Sequence, residues 1–322
     1  MSLSELSLYS DRLYMAAVGV YVLAMVLHGI EYAVERAAKP VLVGTGGEEI
    51  EAGADGTVLD RPAVDAGTDA PAVRPPSERY GRMAVSLVVL GAALHLFSIV
   101  FRGIAAQRWP LGNMYEFTSA ITLAAVVTWL VMLRRHPTMR PVGLFVLFPV
   151  VVLLFLGGTV LFTPAEPVMP ALQSYWLVIH VTTISIASGL LLVPGVASLL
   201  FLLRRSGKLT GFAERLPSAD ALDRLAYRVT IIGFPLYTFA VIAGAIWAEA
   251  AWGRFWGWDP KETVAFVAWV VYAAYLHARA TAGWRAERAA AINVLGFAVM
   301  IFNLFFINMV VAGLHSYAGL PG

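Results

Sequence analysis

The chain has 322 residues, of which 59% are apolar and 14% charged, and its mean hydropathy is +0.73; soluble domains carry about 25% charged residues, so the composition is that of a polytopic membrane protein. Cysteine is absent, which excludes disulfides, thiolate metal sites, iron–sulfur clusters and a thiol nucleophile of the chain's own. The formal charge of +2 comes from scattered basic residues, which argues against a nucleic-acid surface and shifts attention to where each charge sits across a bilayer.

Apolar windows of roughly 20 residues predict an all-α, polytopic helical bundle of eight transmembrane helices. The first span, about 13–33, is too long and too acidic in its flanks for a cleavable signal peptide, so residues 1–37 are expected to stay as a helix. From Ala38 to Tyr80 the chain is rich in Gly, Ala, Asp, Glu and Pro, and 38–81 is expected to be a disordered acidic loop. Seven further spans then fall at about 82–101, 117–133, 142–162, 173–203, 229–249, 263–282 and 289–313, so that 82–318 forms one helical domain. Ahead of the third span, Asn113, Tyr115 and Glu116 are expected to cap that helix, or else to wall a site at the same end of the bundle. No Asp, Glu, Lys or Arg lies at the middle of a span, which weakens an ion-pump or proton-relay reading.

Eight spans place both termini on one side. Eighteen of the Lys and Arg residues fall in connections on one side, and the other side holds only Arg12, Arg102, Arg108, Arg254 and Lys261. Because basic loops are retained in the cytoplasm, both termini and the segment 247–263 are expected to face outward and the long acidic loop to be cytoplasmic.

That outward segment, Trp247-Ala-Glu-Ala-Ala-Trp252-Gly-Arg-Phe-Trp256-Gly-Trp258-Asp259-Pro260-Lys261-Glu262-Thr263, packs four of the nine tryptophans into a short stretch. An interfacial aromatic belt accounts for one or two tryptophans. It does not account for four, for the glycines between them, or for an Asp-Pro turn restarting a helix with Glu262 near its positive end. Small spacers and a fixed turn point to an aromatic shelf for a large, flat, hydrophobic ligand. Arg254 and Lys261 are nearly the only cations beside it, available to acidic groups of such a ligand or equally to loop solvation and snorkelling.

Histidine supplies the second clue. His180 lies about seven residues inside a span of roughly 31 residues, or about 46 Å, longer than the roughly 30 Å apolar core, so His180 is expected near the outer interface. His315 follows the last span on the same side. Two imidazoles at similar depth beside a tryptophan shelf would make an axial pair for haem iron. His277, some fifteen residues after Glu262, lies about 22 Å in from the outer surface and cannot share that iron; a metal role there needs His28 or another protein. His28, His95 and His136 are read as packing residues.

These residues resemble a specific family. Trp252-Gly-Arg-Phe-Trp256-Gly-Trp258-Asp259-Pro260-Lys261-Glu262-Thr263 is similar to the tryptophan-rich WWD signature of haem-handling cytochrome c biogenesis proteins, and the order of Pro110-Leu-Gly-Asn113-Met-Tyr115-Glu116, Ser174-Tyr-Trp-Leu-Val-Ile-His180, Tyr275-Leu276-His277 and Leu314-His315-Ser316-Tyr317 resembles that of the CcsA (ResC) family of system II over about 82–318. Gly257 and Val264 depart from that pattern, where the family often has serine and tryptophan. The resemblance implies haem b as substrate and bound ligand, His180 and His315 as axial ligands at the outer face, and a shelf bounded by Trp252, Trp256, Trp258 and Asp259. It implies His277 as ligand of a transmembrane haem whose opposite ligand comes from a CcsB (ResB)-type membrane partner. It further implies a bacterial plasma-membrane component of a holocytochrome c synthase that forms thioethers between haem and the Cys-x-x-Cys-His motif of an apocytochrome c. Two rivals stand beside it: a haem b electron-transfer subunit, and a transporter of a hydrophobic solute with the tryptophans as its vestibule.

Overall fold

A computed structural model describes residues 2–37, 76–166, 173–207, 211 and 215–315. Most of the predicted acidic loop, residues 38–75, lies outside the described residues. Among the described residues there are no strands, and eight helices are long and apolar enough to cross a membrane. In chain order they are α1 (Leu3–Ala37), α2 (Pro76–Ala106), α3 (Met114–Arg135), α4 (Gly143–Thr159) after a 3-10 turn at Pro137–Val142, α5 (Tyr175–Arg205), α6 (Ala219–Trp252), α7 (Pro260–Ala280) and α8 (Ala286–Phe302). The last helix runs on through a π-helical turn, Asn303–Ile307, and a final turn, Asn308–Val310.

Several helices overrun the apolar windows. α2 begins at Pro76, inside the segment expected to be loop, and its first turns hold an i,i+4 pair between Glu78 and Arg82 at 3.7 Å. Polar turns of this kind continue a helix beyond the hydrocarbon core without adding hydropathy. α1 and α6 extend past their predicted starts in the same way.

α5 is the most enclosed span and packs on α3, α6 and α8. The largest core joins Trp129, Leu147, Leu154 and Leu192; a second, built on Leu191, Tyr237, Tyr272 and Met300, ties α5 through α8 together. Large apolar side chains such as Phe148, Phe155, Ile232 and Phe239 face outward. An apolar exterior around backbone bonds closed within each helix is what a bilayer demands. α1 and α2 pair along their length, and α1 also meets α4, where Tyr14 Oη donates to Leu154 O at 2.7 Å.

Three of the histidines serve this packing. His28 is buried, donates from Nδ1 to Glu31 at 3.1 Å and stands edge-on to Trp129. His95 is buried and shares a 2.8 Å hydrogen bond with Ser119 Oγ. His136 Nε2 accepts from Arg228 at 3.2 Å, joining the connection after α3 to α6.

Candidate functional site

The site lies at the end of the bundle that carries the tryptophan-rich connection. Ser174 caps α5, its hydroxyl accepting from Trp176 N at 3.2 Å, so His180 falls in the second turn and faces α6. There its Nδ1–H donates to Ala240 O at 2.8 Å, which leaves the lone pair on Nε2. The ring rests where a side chain on α6 is missing: a Cβ at Gly244 would lie 2.7 Å from His180 Cε1.

α6 ends at Trp252, and Gly253, at φ +69°, supplies the left-handed residue that turns the chain away from the helix axis. α7 restarts at Pro260 behind a capping box, with Asp259 as N-cap and Glu262 as its reciprocal partner. The Glu262 carboxylate accepts from Gly257 N at 2.9 Å and Asp259 N at 3.1 Å, and pairs with Arg254 at 3.3 Å. Arg254 also lies over the Trp252 ring at 5.7 Å. A Cβ at Gly257 would meet the Arg254 guanidinium at 1.9 Å, so the glycine found where the resembled family often has serine is what lets that guanidinium fold back on the loop.

Asp259 reaches across to the C-terminal end of the last helix. Its Oδ1 accepts from Leu314 N at 2.7 Å and its Oδ2 from His315 Nδ1 at 2.9 Å. Burial raises the Asp259 carboxyl, but the hydrogen bonds from His315 and Leu314 outweigh it and hold the group below its ordinary value. Burial lowers His315, and Lys261 adds to that, against the opposing pull of Asp259. The imidazole is therefore neutral at neutral pH, donates from Nδ1 and carries its lone pair on Nε2, as His180 does.

Trp247 relates the two histidines. Its buried indole is stacked with His180 at 6.1 Å and 7°, and meets His315 edge-on at 5.9 Å; Trp252 stands 5.2 Å from His315. Both imidazoles line one cavity of about 1370 Å³, counting space open to solvent, with Trp247, Trp252, Trp256 and Phe117 among its walls. Trp247, one of the four clustered tryptophans, belongs to α6 rather than to the loop, and nothing local in the sequence marks it as the residue between the two histidines. Trp258 is two-thirds exposed, sits at φ +56° and meets Trp256 and Phe266 on the far side. Asp259 holds His315 from behind.

Asn113 caps α3, accepting from Glu116 N at 2.9 Å, and also lines the cavity. Glu116 is buried and takes Arg102 at 2.8 Å, Arg108 at 2.7 Å and Gly112 N at 2.7 Å, which pins the connection carrying Asn113. His277 is not in the cavity. It lies on an exposed face near the far end of α7, and its imidazole makes no hydrogen bond among the described residues.

Two half-buried imidazoles with Nε2 lone pairs, held by a carbonyl and a carboxylate and walled by indoles, can bind a flat metalloporphyrin through its iron. A sequence model of the family described as "Cytochrome C assembly protein" matches residues 86–315. Curated relatives include cytochrome c biogenesis protein CcsA of Parasynechococcus marenigrum (strain WH8102), 33% identical over 276 residues, covering 73% of this chain and 86% of the relative. CcsA of Chlamydomonas reinhardtii is 34% identical over 243 residues, covering 73% and 69%. Among solved structures, Cytochrome c Heme Lyase CcmF superposes with a TM-score of 0.63 at 17% identity over 95% of this chain. The chain spans about half the length of that structure, 47%, and the likeness is one of fold.

Proposed function

The chain belongs to the cytochrome c assembly protein family, and we propose that it is an integral membrane protein of cytochrome c maturation that presents haem b to an apocytochrome c. The single observation that carries this reading is the pair His180 and His315, each tied at Nδ1 and each lining the same indole-walled cavity. In it the two Nε2 atoms are the axial ligands, and Trp252 and Trp256 bound the ring. Trp258 lies at the exposed rim, and Asp259 orients His315.

Haem is the substrate. Thioether formation adds each cysteine S–H of a Cys-x-x-Cys-His motif across a haem vinyl double bond, sulfur to the inner carbon and hydrogen to the outer, with nothing released. What this chain contributes is position: the ring is held in one place and depth, and water is kept from its apolar faces. The charge asymmetry of the connections supports an extracytoplasmic site in a bacterial plasma membrane. His277, exposed on α7 far from the cavity, suits the role of ligand to a second, transmembrane haem shared with a CcsB (ResB)-type partner.

The test is a pyridine haemochrome assay on detergent-purified protein co-expressed with such a partner, wild type beside His180→Ala/His315→Ala and beside His277→Ala. The wild type is expected to carry b-type haem, the double variant to lose the share bound at the tryptophan cavity and fail in cytochrome c maturation, and His277→Ala to lose a separate share. Equal haem content and normal maturation in the double variant would overturn the assignment.

A further inference from the structure

The two cations beside the tryptophan loop have different fates in the fold. Arg254 is neutralised: it pairs with Glu262 and lies over Trp252. Lys261, in the first turn of α7, lines the cavity instead. Its Nζ donates to Asn308 Oδ1 and stands 5.8 Å from the centre of the Phe117 ring. Among the described residues no carboxylate lies within ion-pair distance of it, because the neighbouring acids are already engaged, Asp259 with Leu314 N and His315 and Glu262 with Gly257 N, Asp259 N and Arg254. An ammonium in an apolar cavity without a counter-ion is costly, and a neutral amide and an aromatic face offset only part of that cost.

A second observation marks the same corner. Asn308 follows the π-helical turn Asn303–Ile307, whose first residue, Asn303, lines the cavity as Lys261 does. Departures of this kind from α-helical geometry recur at functional sites. The turn sets Asn308 where it holds Lys261 Nζ and puts Asn303 in the same, mostly apolar, cavity wall, so what this corner offers a ligand is the positive charge of Lys261.

We propose that this corner receives a carboxylate of the bound ligand, so that Lys261 pairs with a propionate of haem and sets which edge of the ring faces the substrate polypeptide. The inference rests on the haem-presenting reading above and adds orientation to it. Propionates and vinyl groups occupy different edges of haem, so anchoring the acidic edge at Lys261 turns the vinyl edge away from this corner. Lys261 is then a positioning and specificity residue, and Arg254 is not its equivalent.

Titrating ferric haem and ferric haem dimethyl ester, which lacks the negative charges, into the purified full-length chain in detergent separates the possibilities. The wild type is expected to favour haem over the ester on the order of 10- to 100-fold, the worth of a hydrogen bond to a charged group. Lys261→Met removes the charge and the hydrogen bond to Asn308; Lys261→Gln removes the charge while keeping an amide donor for it. Both should bind the two porphyrins alike, with the ester affinity and the low-spin imidazole spectrum of the wild type, while Lys261→Arg keeps the preference. An unchanged preference for haem in Lys261→Gln overturns the propionate contact and leaves the haem-presenting reading standing. Equal loss of both porphyrins in the Met and Gln variants also overturns it, since Lys261 would then only shape the cavity. If neither porphyrin gives a spectrum dependent on His180 and His315 in the wild type, the parent reading falls and this inference falls with it.

Discussion

Replacing Asp259 separates two jobs that the fold gives to one carboxylate. It caps α7, accepting from Lys261 N at 3.3 Å, and it holds Leu314 N and His315 Nδ1. Asp259→Ala removes a cap worth about 1 kcal/mol and leaves two donors at a mostly buried position unmatched, at roughly 1–3 kcal/mol each, so a loss of stability on the order of 2–4 kcal/mol is expected once partial rehydration is allowed for. Asn caps as well as Asp but offers one acceptor oxygen where Asp259 meets two donors, so Asp259→Asn keeps the cap, turns its NH2 toward either Leu314 N–H or His315 Nδ1–H, and should cost about 1–3 kcal/mol, less than the alanine. It converts a charge-assisted bond to a neutral one, however, and the loss of a carboxylate behind a ligating histidine typically weakens metal binding about 10- to 100-fold. Thermal unfolding and haem titration on the same detergent preparation should therefore rank the two differently: Asp259→Asn less destabilised than Asp259→Ala, because it keeps the cap, yet comparably weak in haem. Wild-type haem affinity and spectrum in Asp259→Asn would refute the orienting role and reduce Asp259 to a helix cap.

Two further outcomes are expected. Gly244→Ala places a methyl group 2.7 Å from the present position of His180 Cε1, so the ring must shift and its bond to Ala240 O lengthen; visible and paramagnetic-resonance spectra should show loss of six-coordinate, low-spin haem, and an unchanged spectrum would show that His180 does not depend on this contact. Burial and Lys261 keep the His315 imidazole below the ordinary histidine value of about 6.5. Ligation requires the neutral ring, so low-spin haem should persist as pH falls through 6.5 and be lost only further into acid; loss centred at or above 6.5 would contradict that.

The spans were legible because a bilayer imposes long apolar windows, and all eight reappear as helices. Their ends were not, since polar turns such as 76–81 add helix without adding hydropathy. Within the site, residues near one another in sequence read well. Asp-Pro followed by Glu262 announced the α7 cap, and Asn113 announced the start of α3. Contacts that close over long separations left no local trace: nothing in the pattern around Asp259 points to a histidine 56 residues away. The choice between Arg254 and Lys261 likewise turned on which acid each could reach.

The π-helical turn was equally hidden, although Asn303 and Asn308, like Asn293 earlier in the same mostly apolar span, were a signal of polar business inside the bundle. The same fact bears on how variants here should be read. Asp259 starts the helix that closes the tryptophan loop and aims the imidazole that faces the cavity, so a defect at this position cannot be assigned to folding or to ligand binding from activity alone. Lys261, two residues on, has the opposite character: its charge contributes little to holding the loop, because Glu262 and Arg254 do that, and it lines the cavity beside Phe117, held there by Asn308. Neighbouring residues of one capping turn therefore divide along physical lines, one orienting a ligand to the metal and the other presenting a charge to the ring's periphery. A series comparing Asp259→Asn with Lys261→Gln distinguishes them by whether the iron's spectrum or the preference for a charged porphyrin changes.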